Sequence, residues 1–211
     1  MDQFELLAYN GGARIVAGVD EAGRGPLAGP VVAAAVILSR DYRNSDIRDS
    51  KQITARQRDR LYDTIREDAL SVGVGVVEAS VIDRVNILRA TFMAMQDALA
   101  DLSLRPDFIL VDGNQRIPVS ITQKTIVKGD TLSISIAAAS IVAKVSRDRI
   151  MEMYHRQFPQ YNFRKNKGYG TAEHQAALLQ YGPCKIHRRS FHCAKTTKPI
   201  VNAEFDFDLH D

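Results

Sequence analysis

The spacing of apolar positions divides most of the chain into alternating strands and helices. Residues 14–19 and 30–38 read as strands. The second, Pro30-Val-Val-Ala-Ala-Ala-Val-Ile-Leu38, is an unbroken apolar run of the kind buried on both faces. A Gly/Pro-rich turn at 23–29 joins them. Residues 54–69 follow helical spacing, with Thr54 and Gln57 placed to form a capping box. Residues 71–78 alternate Val72, Val74 and Val76 with Gly73 and Gly75, the period of a strand. Along 81–102 the residues Val81, Val85, Leu88, Phe92, Met95, Leu99 and Leu102 step by four and three. That predicts one amphipathic helix with this stripe on the core and Ser80 as its N-cap. Residues 107–112 predict a strand that ends on Asp112, and 124–127 a further short strand. The segment 132–157 predicts a long helix whose first half, Ile134 to Val145, is apolar nearly all round and so buried. A basic loop at 164–170 and a short helix at 172–181, closed by Gly182-Pro183, complete the pattern.

This order predicts an α/β fold with a mixed sheet, followed by a helical extension. The 211 residues suit a single domain over 1–198, with a sheet-and-helix core at about 1–145 and the extension at about 146–198. Residues 199–211 are expected to be a poorly ordered acidic tail. Hydrophobic residues make up 45% of the chain and charged residues 25%, which suits a folded core without staples. No apolar run reaches the roughly 18 residues of a membrane span, and the first residues lack the pattern of a signal peptide. Cys184 and Cys193 match no zinc-binding spacing, and two free thiols suit a reducing cytoplasm.

The net charge of +3 is unevenly placed. Residues 1–143 carry 16 Lys+Arg against 18 Asp+Glu, residues 144–198 carry 12 against 3, and residues 199–211 carry none against 4. A C-terminal block of net +9 is the usual footprint of a phosphate-backbone partner, and equally of a solvated basic face. His187-Arg188-Arg189 is expected to extend this basic surface.

Acidic residues recur where strands end: Asp20 and Glu21, Asp112, and Asp130 in Val127-Lys128-Gly129-Asp130. Carboxylates that converge repel one another unless a cation lies between them, and hard oxygen ligands suit Mg²⁺ or Mn²⁺. Each Asp taken singly is more often a turn former or helix cap. Because neighbours on a strand face opposite ways, a site shared by Asp20 and Glu21 predicts that the strand ends or bulges there. Gly23-Arg24-Gly25 follows, a turn whose amides could reach a phosphate or a 2′-hydroxyl, or simply a hairpin. Asp49-Ser50-Lys51 offers a hydroxyl and an ammonium before a helix. Tyr169, framed by Gly168 and Gly170 and preceded by Lys165 and Lys167, could stack on a base or sugar or pack on the core. The five histidines (155, 174, 187, 192, 210) show no zinc spacing, and no G-x-S-x-G hydrolase motif is present.

The stretch Gly18-Val-Asp-Glu-Ala-Gly-Arg-Gly-Pro-Leu-Ala-Gly-Pro-Val31 resembles the opening motif of the bacterial type 2 ribonuclease H family. So do Asp49-Ser-Lys51, Val111-Asp-Gly113, Lys128-Gly-Asp130, Ser135-Ile-Ala-Ala-Ala-Ser-Ile-Val-Ala-Lys144, Lys167-Gly-Tyr-Gly-Thr171 and His187-Arg188 with Ser190-Phe191. The resemblance runs in order from about residue 14 to 192. It implies a ribonuclease H-like fold, a five-stranded mixed sheet flanked by helices with a C-terminal helical extension. It implies a monomeric cytoplasmic endonuclease, with no membrane partner, acting on the RNA strand of RNA–DNA hybrids. Incision 5′ of single ribonucleotides in duplex DNA, leaving 3′-hydroxyl and 5′-phosphate ends, is implied as well. By the same resemblance Asp20, Glu21, Asp112 and Asp130 are the catalytic, metal-binding carboxylates for two Mg²⁺ or Mn²⁺ ions. Gly23, Arg24 and Gly25 read the 2′-hydroxyl, Tyr169 meets the sugar and Lys51 a phosphate. Two rivals stand against this reading: a nuclease of the same architecture acting on DNA, and a non-catalytic nucleic-acid-binding domain.

Overall fold

The valine- and alanine-rich run predicted to be buried on both faces lies one strand from the sheet centre. The computed structural model describes residues 2–47 and 53–191. Its strands are Val16–Ala22 (β1), Val31–Ile37 (β2), Ser71–Val77 (β3), Phe108–Asp112 (β4) and Thr122–Ile126 (β5), in the order β3-β2-β1-β4-β5. β1 and β3 run antiparallel to β2, whereas β4 runs parallel to β1 and to β5. The sheet is therefore mixed and five-stranded, as expected.

The helices are Gln3–Asn10 (α1), Ala55–Asp68 (α2), Ala79–Val85 (α3), Ile87–Ala100 (α4), Ile134–Gln157 (α5), Phe163–Asn166 (α6) and Ala172–Tyr181 (α7). α3 and α4 cover one face of the sheet, with Ala90, Ala94, Met95 and Ala98 against Ala33, Ala35 and Val111. α5 and α2 cover the other, with Ala137, Ala138, Ile141 and Ile65 against Ala34 and Val36. Helix α5 then outruns the sheet and joins α6 and α7 around a separate apolar cluster of Met151, Tyr161, Phe163, Leu178 and Ile186. Ala28, from the turn between β1 and β2, is buried in that same cluster, so the glycine-rich turn is walled by the C-terminal extension.

Several local expectations differ from the fold. Helix 81–102 is two helices, broken at Asn86, whose φ of 69° lies in the left-handed region and whose side chain accepts the Arg89 amide at 3.1 Å to cap α4. Asn tolerates that backbone better than most residues. The large stripe is also not the innermost one; Leu88 is exposed, and alanines face the sheet. The cause is close approach. A Cβ on Gly75 would lie 2.0 Å from the Ala94 carbonyl oxygen, and one on Gly73 2.1 Å from that of Ala98. Ser80 lies inside α3, with Glu78 at its N-cap. α1 went unpredicted because its eight residues bury little besides Glu5 and Ala8. β5 begins two residues early, and the basic loop contains the short helix α6. The Thr54–Gln57 capping box forms as expected.

Candidate active site

Parallel β1 and β4 end side by side, and the acidic residues gather there. The β1–β4 ladder stops at the pair Val19–Val111, leaving Asp20 and Asp112 as the next residues of each strand. Asp20 faces α5, where the Ser140 hydroxyl donates to it, and its Oδ1 accepts the Glu21 amide at 2.7 Å. Burial, then the negative charges of Glu21 and Asp112, push the Asp20 carboxyl well above the ordinary carboxylate range. Glu21 is also raised, by burial first, with Arg24 opposing the rise and Asp112 adding to it. Arg24 Nη1 lies 3.2 Å from Glu21 Oε1.

The predicted break in alternation does not occur. Asp20, Glu21 and Ala22 keep regular antiparallel register with Ala34, Ala33 and Val32. What ends is the other ladder. Beyond Val19 the β4 side of β1 is free of a strand partner, so carboxylates rooted on opposite faces can both bend to the open edge.

Asp112 is held by the turn that follows β5. Its Oδ1 accepts the Gly129 amide at 2.6 Å. A Cβ on Gly129 would lie 2.6 Å from Ile136 Cδ1 and 3.2 Å from Asp112 Oδ1, so only glycine fits this seam. Lys128 takes a left-handed conformation (φ 57°), turning the chain into the 3-10 turn Gly129–Thr131 that carries the buried Asp130. Asp20, Glu21 and Asp112 thus sense one another's charge, and Asp130 sits next to the residue bound to Asp112. Among the described residues no three His, Cys, Asp or Glu side chains enclose a single point, so the carboxylates bracket the strand ends rather than form a closed cage. The donors are all hard carboxylate oxygens, which fit Mg²⁺ or Mn²⁺.

The turn after β1 places Gly25 beside Tyr169: a Cβ at Gly25 would be 3.8 Å from Tyr169 Cε1. Tyr169 is 47% exposed. Gly23 has φ +97° and packs on the Arg147 side chain. Lys51, with Asp49 and Ser50, lies outside the described residues, as do Cys193 and the acidic tail. The expectation that His187-Arg188-Arg189 extends a basic surface is corrected: His187 and Arg188 are buried, and only Arg189 is exposed. The reason is a set of inward-facing carbonyls; Arg188 donates to those of Gly23, Arg24, Gly29 and Pro30, and Arg147, also buried, to those of Ala28, Pro30 and Lys167. Neither arginine stood out as a site residue in the sequence. Two clefts, of about 610 and 400 Å³, lie at the opposite end of the sheet, lined by Ile15, Asp107 and Thr122 and by Phe4, Phe108 and Lys124.

Sheet order and mixed polarity define the class: a ribonuclease H-like fold. Ribonuclease H2 from Pyrococcus horikoshii OT3 shares it with a TM-score of 0.72 and 28% identity, over 86% of this chain and 95% of that one. The family model described as Ribonuclease HII matches residues 17–194. A ribonuclease HII of Syntrophus aciditrophicus (strain SB) is 68% identical over 211 residues, covering 98% of this chain and 99% of that protein. One from Bacillus subtilis (strain 168) is 51% identical over 191 residues, 90% of this chain and 74% of that protein. The chain belongs to the ribonuclease HII family, and is a hydrolase, an endonuclease of the ribonuclease H type acting on RNA–DNA hybrids. Among the described residues no helix is long and apolar enough to cross a membrane.

Proposed function

We propose that this chain also incises duplex DNA 5′ of a single embedded ribonucleotide, working as a cytoplasmic monomer and leaving 3′-hydroxyl and 5′-phosphate ends. The observation that carries the reading is the adjacency of the two halves of one site: the Asp20–Glu21–Asp112 group on the strand ends, and, two residues after Glu21, the Gly23-Arg24-Gly25 turn against Tyr169. Asp20, Glu21, Asp112 and Asp130 would hold two Mg²⁺ or Mn²⁺ ions. When bound, such ions lower the pKa of an attacking water and stabilise the departing 3′ oxygen. The chain's own residues do the rest. Arg24, paired with Glu21, opposes the rise that burial imposes on that carboxyl and helps to orient it. The exposed backbone of Arg24 and Gly25 offers amides to the 2′-hydroxyl, the group that separates ribose from deoxyribose. Tyr169 presents its ring to the sugar, and Lys51 a point charge to a phosphate.

The test is incision of a DNA duplex carrying one ribonucleotide, with Mg²⁺, with Mn²⁺ and with EDTA, beside an all-DNA duplex. Cleavage confined to the ribonucleotide duplex and to the metal-containing reactions is expected. Asp20→Asn should abolish cleavage while binding to the hybrid persists; substantial activity in that variant would refute the assignment of Asp20.

A further inference from the structure

We infer that Arg147 and Arg188 are positioning residues that together fasten the Gly23–Pro30 segment to the Tyr169 loop, Arg188 also aiming the amides of Arg24 and Gly25 outward. The inference deepens the proposed reading and rests on it for the role of the turn. Both side chains are all but inaccessible, at 1% and 0% exposure. Burying a guanidinium is costly unless its donors are satisfied. Here they are satisfied by backbone carbonyls. Arg188 gives four hydrogen bonds, of 2.5 to 3.1 Å, to Gly23, Arg24, Gly29 and Pro30. Arg147 gives three, of 3.0 to 3.1 Å, to Pro30, Lys167 and Ala28. The Pro30 carbonyl accepts from both.

Two consequences follow from peptide geometry. In a trans peptide the carbonyl and the next amide N–H point in opposite directions, and no peptide bond among the described residues is cis. With the carbonyls of Gly23 and Arg24 turned in to Arg188, the amides of Arg24 and Gly25 must face the other way. Both residues lie on the exposed side of the turn. Inward carbonyls around a buried cation therefore preset outward donors, the arrangement needed to meet a hydroxyl or phosphate oxygen.

The second consequence is mechanical. Arg147 reaches across to Lys167, two residues before Tyr169. Around it the Leu27 amide donates to Gly168 (2.8 Å), the Arg188 amide to Leu27 (2.8 Å) and the Gly29 amide to Ile186 (2.9 Å). A Cβ on Gly168 would lie 2.4 Å from the Ala28 carbonyl, so the two segments are in direct backbone contact. The turn and the Tyr169 loop, more than 140 residues apart in the chain, form one body with the arginines as its rivets.

Arg188→Lys and Arg147→Lys keep a charge but lose the fork that gathers several carbonyls. Hydrogen exchange across segments 23–30 and 167–169 should show protection falling in both segments together in either variant, with β3 and α4 unchanged. In EDTA, the preference for a duplex carrying one ribonucleotide over the same all-DNA duplex should fall about tenfold, the worth of roughly one hydrogen bond. Affinity for the all-DNA duplex should hold. A folded variant that keeps its turn protected, or that loses protection yet keeps its ribose preference, overturns the inference. If neither variant folds, wild-type exchange decides: the two segments must open in a single step, and opening with separate free energies overturns it. A wild-type protein with no ribose preference would instead sink the proposed reading of the turn, leaving the exchange data to judge the coupling.

Discussion

The same substitution, glycine to alanine, should cost stability at one position and spare it at another seven residues away. Gly18 lies two residues before Asp20, where β1 crosses the first turn of α5. A Cβ there would sit 2.1 Å from the Ser135 carbonyl carbon, 2.3 Å from its oxygen and 2.4 Å from the Ile136 nitrogen. All three are backbone atoms and cannot rotate aside. Restoring ordinary contact requires α5 to retreat by about 1 Å. Overpacking of this kind costs about 1–3 kcal/mol, and the smaller conformational freedom of alanine in the unfolded chain offsets about 0.4–1 kcal/mol. A net loss of about 1 kcal/mol lowers the melting temperature by about 2–4 °C at this chain length. The displaced helix carries Ser140, which bonds Asp20, and Ile136, which packs on Gly129. A misplacement of about 1 Å at reacting groups costs on the order of 100-fold in rate. Gly18→Ala should therefore lose both stability and hybrid cleavage, the latter measured well below its melting point. Gly25→Ala meets nothing nearer than Tyr169 Cε1 at 3.8 Å. It should melt within about 0.5 kcal/mol of wild type and lose incision at a single ribonucleotide. Circular-dichroism melts and the two cleavage assays decide the matter. A Gly18→Ala protein as stable and active as wild type would refute the packing argument.

Three further outcomes can be checked. Glu5 is buried at the start of α5, accepting from the Ser133 hydroxyl (2.6 Å) and the Ser135 amide (3.0 Å); Glu5→Ala strands both donors and should cost about 2 kcal/mol in urea unfolding, against no change if α1 is dispensable. His187 has its pKa pushed down to about 4, by burial first and then by the charge of His174. Its neutral form stabilises the fold fully above pH 6.5, and that contribution, on the order of 3 kcal/mol, is lost as pH falls toward 4. His187→Asn should flatten the stability–pH curve in that window, and an unchanged slope would count against it. Asp20 is raised in the fold, so its ionised form costs stability at neutral pH; Asp20→Asn should melt higher than wild type in EDTA, and a lower melting point would show that the cluster is not strained by repulsion.

How far the fold was legible depended on whether a residue's partner was local. The unbroken run of β2, the Thr54–Gln57 box and the strand ending on Asp112 follow from neighbours within a few positions, and all were read correctly. The face of α4 was not, because what selects small residues there is Gly73 and Gly75 on another element. Nothing in the spacing of Ala90, Ala94 and Ala98 announces that a glycine strand will press on them. The break at Asn86 had a signal, an Asn inside an otherwise helical stripe, which the regular stepping of the larger residues outweighed. At the site, Asp20, Glu21 and Asp112 were legible near strand ends, whereas Asp130 lies on the 3-10 turn that follows β5. The way Asp20 and Glu21 come to share an edge was not, since it depends on which of two neighbouring strands stops first.

The basic block makes the same point in electrostatic terms. Its net +9 invites a count of phosphate contacts, yet charge in sequence is not charge on a surface. Arg147 and Arg188 spend theirs on carbonyls of residues 117 to 165 positions away, apart from one bond to Lys167. Lys144 is bonded to Asp148 at 2.6 Å, and Lys165 lies 3.9 Å from Glu173. The two most deeply buried arginines thus present their charge to backbone carbonyls rather than to solvent. They sit where the C-terminal extension walls the turn that follows β1. The turn after β1 and the loop around Tyr169 come from distant parts of the chain, and the buried arginines join them.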